Sequence, residues 1–265
     1  AFHPTNGNIC FAGVYDGLKR TTDGGDTWEW VATYASATAV TLDQADPTVV
    51  FHATNANRMY KSTDSGSTWA EVSSWYSSVN KTVLDIFIDT STPVSNLTIY
   101  SATATGLYKS TNGGTTWAAA NGDLPSTGIS DFNAGMKAGS AVLYVTLTTP
   151  SVYKSTDGGT TWVSKSTGID LGPAGHMELG ICDTNPDVLY VGTQENAGPT
   201  IYKTTDGGDN WSMVLTDPAA GNFPAGVIVE RDWMTLTLGW GWGEEAHDIG
   251  VCATEFDRAV GCIDD

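Results

Sequence analysis

Thr21-Thr22-Asp23-Gly24-Gly25-Asp26-Thr27-Trp28 is the stretch of sequence that decides the fold, because the chain contains five versions of it. The other copies end at Trp69, Trp117, Trp162 and Trp211, and all five follow the pattern (Ser/Thr)-x-(Asp/Asn)-x-Gly-x-x-Trp. Successive final tryptophans are 41, 48, 45 and 49 residues apart. A unit of this length that recurs along most of a chain is typical of a repeat architecture.

Each copy, called a box from here on, has the composition of a tight turn between two strands. Short β-prone runs flank it, such as Val152-Tyr153-Lys154 before and Trp162-Val163-Ser164 after the fourth box,. A carboxylate or amide oxygen can accept backbone N–H groups inside such a turn, and the shared glycine allows a positive φ. We therefore predict structural roles for the acidic or amide residue of every box, which are Asp23, Asp64, Asn112, Asp157 and Asp206. The large apolar indole predicts burial between neighbouring sheets for Trp28, Trp69, Trp117, Trp162 and Trp211.

With these five boxes the sequence resembles the Asp-box, or bacterial neuraminidase repeat, family of β-propellers over nearly its whole length. The resemblance implies an all-β fold in which four-stranded antiparallel blades surround a central axis, with the boxes on the face opposite the active site. That family includes sialidases, xyloglucan-degrading endoglucanases, sortilin-type receptors and a photosystem assembly factor. The resemblance is therefore specific for a fold and not for a function.

The repeat register divides the chain into five full four-stranded repeats and a half repeat that begins at Asp248-Ile249-Gly250-Val251. Residues 1–265 are expected to form one domain, since propellers have about 4 to 8 blades and each repeat here has about 45 residues,. A half repeat leaves an unpaired sheet edge. We therefore expect a piece of a longer chain with six or seven blades. Residues 217–245 are expected to be one long irregular connection.

The charge balance bears on the partners. The chain has 12 basic and 30 acidic residues, which gives a net charge of −18. Such a surface repels nucleic-acid phosphates and anionic lipid head groups, so neither nucleic acid nor a membrane is an expected partner. The four cysteines, at positions 10, 182, 252 and 262, form no zinc or haem pattern, and their pairing stays open among three possibilities,. We expect an extracellular or cell-surface protein without cofactor or metal.

The resemblance also places two kinds of loop on the functional face. The loops between second and third strands contain Tyr15, Asp16 and Asn55, and the outer-to-inner connections contain several aromatic residues. Flat aromatic rings pack against the C–H surfaces of sugars, while carboxylates and amides bind the hydroxyl groups. The predicted substrate-binding residues are Trp75, Tyr76, Glu195, Trp233, Trp240 and Trp242. The alternative is that these tryptophans only pack the loops against the rim.

A row of carboxylates occupies equivalent positions at the start of successive inner strands, at Asp85, Asp131, Glu178 and Asp248. In a propeller these side chains would surround the mouth of the central channel, where like charges raise one another's pKa as acid–base catalysis requires. The alternative is that each carboxylate caps the backbone of a neighbouring blade. Asp16 is a fifth catalytic candidate, because it resembles an acidic residue of xyloglucanases, although its spacing differs by one residue.

Two function classes follow. The stretch from residue 239 to 251 and the opening Phe2-His3-Pro4-Thr5 resemble the xyloglucanase group, whereas the set of four arginines, Arg20, Arg58, Arg231 and Arg258, fits poorly with sialidase chemistry. One class is a glycoside hydrolase-like propeller that acts on or binds a neutral β-glucan-type polysaccharide. The other is a non-catalytic extracellular propeller that binds protein or glycan, or self-assembles as a scaffold. Expected partners are a polysaccharide or glycan and, to complete the ring, other copies or a further domain.

Overall fold

The structure is a computed structural model that describes residues 1–33, 35–170, 177–182, 185–195, 198–216, 227–231, 234–238 and 250–253. For residues 194, 195, 198, 199, 215 and 216, and for those after 226, it describes the backbone alone. Over this part of the chain there are six antiparallel β-sheets, a π-helical turn at Trp75–Val79 and a 3-10 turn at Val94–Asn96. Neither turn has the length or apolar character that a membrane-crossing helix needs.

The strands follow one another along the chain, and each sheet takes consecutive strands. Sheet 1 consists of β1 (Cys10–Val14), β2 (Gly17–Thr21) and β3 (Glu29–Ala32). Sheet 2 consists of β4 (Ala37–Leu42), β5 (Val50–Thr54), β6 (Arg58–Ser62) and β7 (Ala70–Glu71). Sheet 3 consists of β8 (Val83–Asp89), β9 (Thr98–Thr103), β10 (Gly106–Ser110) and β11 (Ala118–Ala119). Sheet 4 consists of β12 (Ile129–Lys137), β13 (Ser140–Leu147), β14 (Val152–Ser155) and β15 (Val163–Ser164). Sheet 5 consists of β16 (Met177–Cys182), β17 (Asn185–Glu195), β18 (Gly198–Thr204) and β19 (Ser212–Thr216). Sheet 6 consists of β20 (Val227–Arg231), β21 (Met234–Leu238) and β22 (Gly250–Ala253).

The all-β propeller prediction is confirmed, and the number of full four-stranded repeats stays a prediction, because the described residues show four strands in only some of the sheets. Sheets 2 to 5 have four strands each, whereas sheets 1 and 6 have three. In sheet 1 the box follows β2, so β1 corresponds to the second strand of the other sheets. The first residues add one bridge, between Phe2 and Cys10, and the backbones of Ala1 and Phe11 exchange two hydrogen bonds of 2.8 and 2.9 Å. The chain then turns around His3, whose Nδ1 accepts the N–H groups of Thr5 and Asn6.

The prediction of an irregular connection over residues 217–245 is wrong in part. β20 and β21 lie inside it and pair as a hairpin between Val227 and Leu238. Their sequences, VIVER and MTLTL, are rich in β-branched residues, which favours strands,. β22 begins two residues after the predicted start of the half repeat and contacts β16, the inner strand of sheet 5.

The buried residues of sheets 1 to 5 form four layers, each between two successive sheets. The layer between sheets 2 and 3 contains the buried Phe51, Met59 and Ile99, and the layer between sheets 3 and 4 contains Leu107, Phe132 and Leu143. Each layer also receives a box tryptophan from the later of its two sheets, and these are Trp69, Trp117, Trp162 and Trp211. The boxes therefore join one sheet to the sheet before it.

The burial of the box tryptophans departs from prediction at the first box. Trp162 and Trp211 are 6% and 5% exposed, Trp69 and Trp117 are half-buried, but Trp28 is 39% exposed. The prediction of burial is therefore wrong for Trp28. Each of the other four packs on the preceding sheet, and the described residues place no preceding sheet over sheet 1.

Candidate functional site

The box turns are held by side chains of the boxes themselves. In the fourth box Asp157 Oδ1 accepts the backbone N–H of Thr161 at 2.9 Å, and Oδ2 accepts the Thr161 hydroxyl at 2.6 Å. The hydroxyl of Ser155 donates to Asp157 and accepts the N–H of Gly159, both at 2.9 Å. At the other boxes Oδ1 likewise accepts the Ser or Thr hydroxyl and the backbone N–H four residues later, and the acceptors are Asp23, Asp64, Asn112 and Asp206. At the third box the Asn112 amide instead donates to the Thr116 hydroxyl at 2.8 Å. All five side chains are thus engaged within their own turns.

These hydrogen bonds also hold the box carboxylates in their ionised form. They lower the pKa of Asp23, Asp64 and Asp157 to about 2, mainly through the hydroxyl of the threonine four residues later,. At Asp206 the amide of Asn210 is the first cause, and it lowers the pKa further. A carboxylate held this firmly as an acceptor is a poor proton donor near neutral pH.

The loops at the opposite ends of the strands form a second surface, which we call the loop face. It joins the turn between β1 and β2, the β3–β4 connection and the turn between β5 and β6. Ser36 links all three, because its hydroxyl donates to the carbonyl of Tyr15 at 2.6 Å and its own carbonyl accepts the N–H of Asn55 at 3.0 Å. The two predicted kinds of loop therefore lie side by side between sheets 1 and 2.

The next pair of sheets repeats this arrangement. Asn57, in the turn between β5 and β6, has a φ of 59° and donates from its amide to Asn80 Oδ1 at 3.2 Å. The hydroxyl of Thr82 donates to Asn57 Oδ1 at 2.7 Å. The loop face thus extends continuously from sheet 1 to sheet 3.

A depression of about 480 Å³ opens on the loop face between sheets 1 and 2. The residues that line it are Tyr15, Asp16, Trp30, Thr33, Ala35, Ser36 and Asn55. Tyr15 is 85% exposed and Trp30 is 47% exposed. The ammonium group of Lys19, the cross-strand partner of Trp30, lies 4.7 Å from the centre of its ring, which restrains the indole. The site combines two aromatic surfaces with one carboxylate and one amide.

Trp30 is the residue of this site that sequence reasoning missed. It lies two residues after the first box tryptophan, where the other repeats have Glu71, Ala119, Ser164 and Met213. An aromatic residue at a position where no other repeat has one was the available signal. Asp16, in contrast, was predicted and lies exposed in the β1–β2 turn. It is the one carboxylate among the described residues that line the depression.

The predicted role of Trp75 in substrate binding is wrong. Its side chain is fully buried, its indole N–H donates to the Lys81 carbonyl at 3.0 Å, and its ring meets that of Trp117 edge-on at 4.9 Å. The π-helical turn that begins at Trp75 directs the ring into the layer between sheets 2 and 3. The following Tyr76 is 43% exposed, and the Arg58 guanidinium lies 4.0 Å from its ring centre. Arg58 also forms an ion pair with Glu71.

Three of the four inner-strand carboxylates lie in the described residues, and the charges of Glu178 and Asp85 both act on Asp131. Asp131 accepts the backbone N–H of Leu179, on the next inner strand, at 2.6 Å, and that of Phe132 at 2.7 Å. Asn133 donates to the carbonyl of the same Leu179 at 2.9 Å. Asp131 therefore caps a neighbouring sheet, which is the alternative that the sequence left open. Burial is the main cause that raises its pKa well above the usual value, and the charges of Glu178 and Asp85 raise it further.

Several predicted site residues are not placed. Asp248, Trp233, Trp240 and Trp242 lie outside the described residues. Glu195 ends β17, where its backbone pairs with that of Gly198, and its side chain lies outside the described part of the structure. Their roles in catalysis or binding stay predictions.

Comparison with solved structures shows the same fold in several propellers. A GH74 xyloglucanase from Xanthomonas campestris matches with a TM-score of 0.62 at 18% sequence identity, over 81% of this chain and 38% of that one. A GH74 enzyme from Niastella koreensis matches with a TM-score of 0.62 at 22% identity, over 80% of this chain and 37% of that one. A structure of YCF48 bound to D1 peptide matches with a TM-score of 0.58 at 18% identity, over 90% of this chain and 78% of that one.

These matches show the propeller fold and leave the activity open, because all three are below 25% identity and function resides in sites rather than folds. The matched region spans well under half the length of the two GH74 chains. Neither a family model nor a curated protein matches the sequence.

Proposed function

We propose that this chain is an extracellular propeller that binds a neutral, β-glucan-type polysaccharide on its loop face. The observation that supports the proposal is the depression between sheets 1 and 2, in which the exposed rings of Tyr15 and Trp30 accompany the Asp16 carboxylate and the Asn55 amide. Exposed aromatic rings beside a few polar groups suit the alternating C–H and hydroxyl surfaces of a sugar.

The charge of the protein narrows the class of glycan. A net charge of −18 disfavours acidic polysaccharides, which would be repelled,. The site also offers few cations, since the Lys19 ammonium lies over the Trp30 ring. A neutral polysaccharide is not repelled by the negative charge and needs no cation at the site. Tyr76, on the next pair of sheets, supplies a further exposed ring along the same face. The structural likeness to a protein named as a xyloglucanase is compatible with such a ligand.

Hydrolysis is the second candidate, and the raised pKa of Asp131 is the observation that favours it,. Most glycoside hydrolases use two carboxyl groups, about 5–5.5 Å or about 6.5–9.5 Å apart. Among the described residues that line the depression, Asp16 is the only one with a carboxyl group. Both carboxylate oxygens of Asp131 already accept backbone N–H groups. Binding without cleavage therefore has the stronger support.

The test is a binding measurement with matched tryptophan variants. Xyloglucan and a linear mixed-linkage β-glucan, with an acidic pectin as the charged comparison, are titrated against the protein by calorimetry and by quenching of tryptophan fluorescence. Trp30→Ala is expected to weaken binding of the neutral polymers at least tenfold, since a buried aromatic anchor contributes ~2 kcal/mol or more to an interface. Trp28→Ala is the control, because Trp28 has a similar exposure and does not line the depression.

Two results would oppose the proposal. One is the absence of binding to every neutral polysaccharide, and the other is an equal loss from Trp28→Ala and Trp30→Ala. A reducing-end assay on the same polymers separates binding from hydrolysis, with Asp16→Asn and Asp131→Asn as the variants.

A further inference from the structure

Successive sheets are joined by a repeated set of contacts, in which the box of one sheet rests on the sheet before it. The indole of Trp162 donates to the carbonyl of Ala120 at 3.2 Å, and that of Trp211 donates to the equivalent carbonyl of Lys165 at 2.7 Å. In the layer between sheets 1 and 2, Trp69 packs on the cluster that contains Phe11 and Leu18 of sheet 1. In the next layer Trp117 packs edge-on against Trp75. In all four layers a box tryptophan meets a preformed surface of the preceding sheet.

A cation supplies the second recurring contact. The residue just before the box Ser or Thr is basic in every repeat, at Arg20, Lys61, Lys109, Lys154 and Lys203. Arg20 donates to the carbonyl of Ser65, in the box of the next sheet, at 2.5 Å, and Lys154 donates to the equivalent carbonyl of Gly207 at 3.4 Å. The four lysines lie over aromatic rings of their own sheets, 5.2 to 5.4 Å from the ring centres.

The box glycine supplies the third contact, because it lets the turn approach closely. A Cβ at Gly159 would lie 2.4 Å from the carbonyl oxygen of Ala120, and one at Gly208 would lie 2.9 Å from Lys165 Cβ. A Cβ at Gly25, in the first box, would meet nothing within 4 Å. The first box is thus the one whose complementary surface is missing among the described residues.

The matching surface is present at the other end of the described array. Val214 occupies the position of Ala120, which is 5% exposed under the next box, yet Val214 is 45% exposed. Lys203 lies over the Tyr190 ring, in the position from which Lys154 reaches the next box. Sheet 6 approaches sheet 5 through β22 and β16 and leaves Val214 exposed.

We propose that a second copy of this chain completes these two half-interfaces by head-to-tail association. Trp28 and Gly25 of one copy pack on Val214 of the other, and Lys203 donates to the carbonyl of Gly24. The occupant is a second copy because, in the described part of the chain, Trp28 and Val214 are both exposed and do not cover each other, and each surface has the residues that complement the other. Such a contact is heterologous, and repetition produces either a closed ring of copies or an open filament.

Charge makes this association dependent on salt. Two copies with a net charge of −18 each repel one another, and added salt screens that repulsion over about 10 Å at 0.1 M. The contacts at the interface are mainly apolar, so they are affected little by screening. Self-association is therefore expected to tighten as the salt concentration rises.

The experiment is sedimentation velocity over a concentration series in low and high salt. The wild type is expected to form larger species as its concentration rises, and more readily in high salt. Trp28→Ala disables one surface and Val214→Asp the other, and each alone is expected to weaken association at least tenfold. An equimolar mixture of the two variants retains one intact pair of surfaces and is expected to form dimers and nothing larger. Trp30→Ala is the control, and thermal unfolding confirms that each variant is folded.

A wild type that stays monomeric throughout the series would overturn the proposal. So would variants that associate as strongly as the wild type, or a mixture that forms no dimer. The readout needs no glycan, so its failure is distinguishable from a failure of the proposed polysaccharide binding.

Discussion

Asp157 and Thr161 are joined by two hydrogen bonds, one from the backbone N–H to Oδ1 at 2.9 Å and one from the hydroxyl to Oδ2 at 2.6 Å. The aspartate thereby spans its turn much as a capping residue closes the first turn of a helix. Asp157→Ala is expected to lower the free energy of unfolding by about 0.5–2 kcal/mol, the range found for lost caps. Chemical denaturation measures this change. Asp26→Ala, an exposed box position without a defined residue type, is the control, and equal losses at both positions would contradict the structural role.

Ser65 has a φ of 56° at the position where the other four boxes have glycine. A side chain in this left-handed region is strained, so Ser65→Gly is expected to stabilise the protein by about 0.5–1 kcal/mol. Gly113→Ser is the reverse exchange at φ 66°, in a place where a Cβ would have only Lys61 Nζ at 3.6 Å nearby. It is expected to destabilise by a similar amount. Thermal unfolding of both variants compares them, and changes of the same sign would refute the explanation.

His52 makes stability depend on acid pH. Its ring is buried between Tyr60, stacked at 5.0 Å, and Trp69, edge-on at 4.6 Å, and neither ring nitrogen has a hydrogen-bond partner among the described residues. Burial is the first cause that lowers its pKa from 6.5 to about 4. The folded state therefore disfavours the imidazolium form. The free energy of unfolding has its full value above pH 6.5 and decreases as the pH falls towards 4. The full loss is about 3 kcal/mol.

Equilibrium denaturation between pH 7 and 4 measures this loss, and His52→Phe is the informative variant. Its stability is expected to fall less than that of the wild type between pH 6.5 and 5, because the box carboxylates lose their contribution only as the pH drops through their ordinary pKa of 3.8 towards about 2,. Asp131, whose pKa is raised, titrates in both proteins alike and cancels in this comparison. A wild-type profile without any slope between pH 6.5 and 4 would exclude the assignment to His52.

Trp75 and Tyr76 are neighbours with opposite environments, fully buried and 43% exposed. Trp75→Ala is expected to cost about 3–5 kcal/mol of stability, as large cavities in a core do. Tyr76→Ala is expected to change stability by less than about 1 kcal/mol, since it loses only an exposed ring contact with Arg58,. Denaturant unfolding of the two single variants tests the difference. Similar losses of unfolding free energy in the two variants would contradict the buried position of Trp75.

The sequence predicted the parts of this fold that are local. Asp64 and Thr68 lie four residues apart in the turn they close, so a pattern in the sequence contains the whole interaction. The inter-sheet role of Trp162 also followed, because a large apolar residue at a fixed place in each repeat requires a repeated cavity. These features needed no knowledge of the closure of the array.

Features that depend on the neighbouring sheet were not predictable. The exposure of Trp28 depends on what precedes sheet 1, and its own box is identical in pattern to the buried ones. Trp75 lies in a connection between two sheets, as the sequence predicted, but a π-helical turn begins there and its side chain is buried beside Trp117. The depression around Tyr15 and Trp30 arises from three segments that Ser36 brings together, and no one of these segments shows it alone.

The bond from Arg20 to the Ser65 carbonyl, repeated between Lys154 and Gly207, has a consequence for how such genes change. Each repeat presents the same two surfaces to its neighbours, so an inserted or deleted copy meets partners that already fit. Slippage or unequal crossing-over between tandem DNA copies can therefore lengthen or shorten the array by whole blades. An added blade uses the same type of interface as the existing blades, so no new interface has to evolve. Selection can then act on the loops of the added blade.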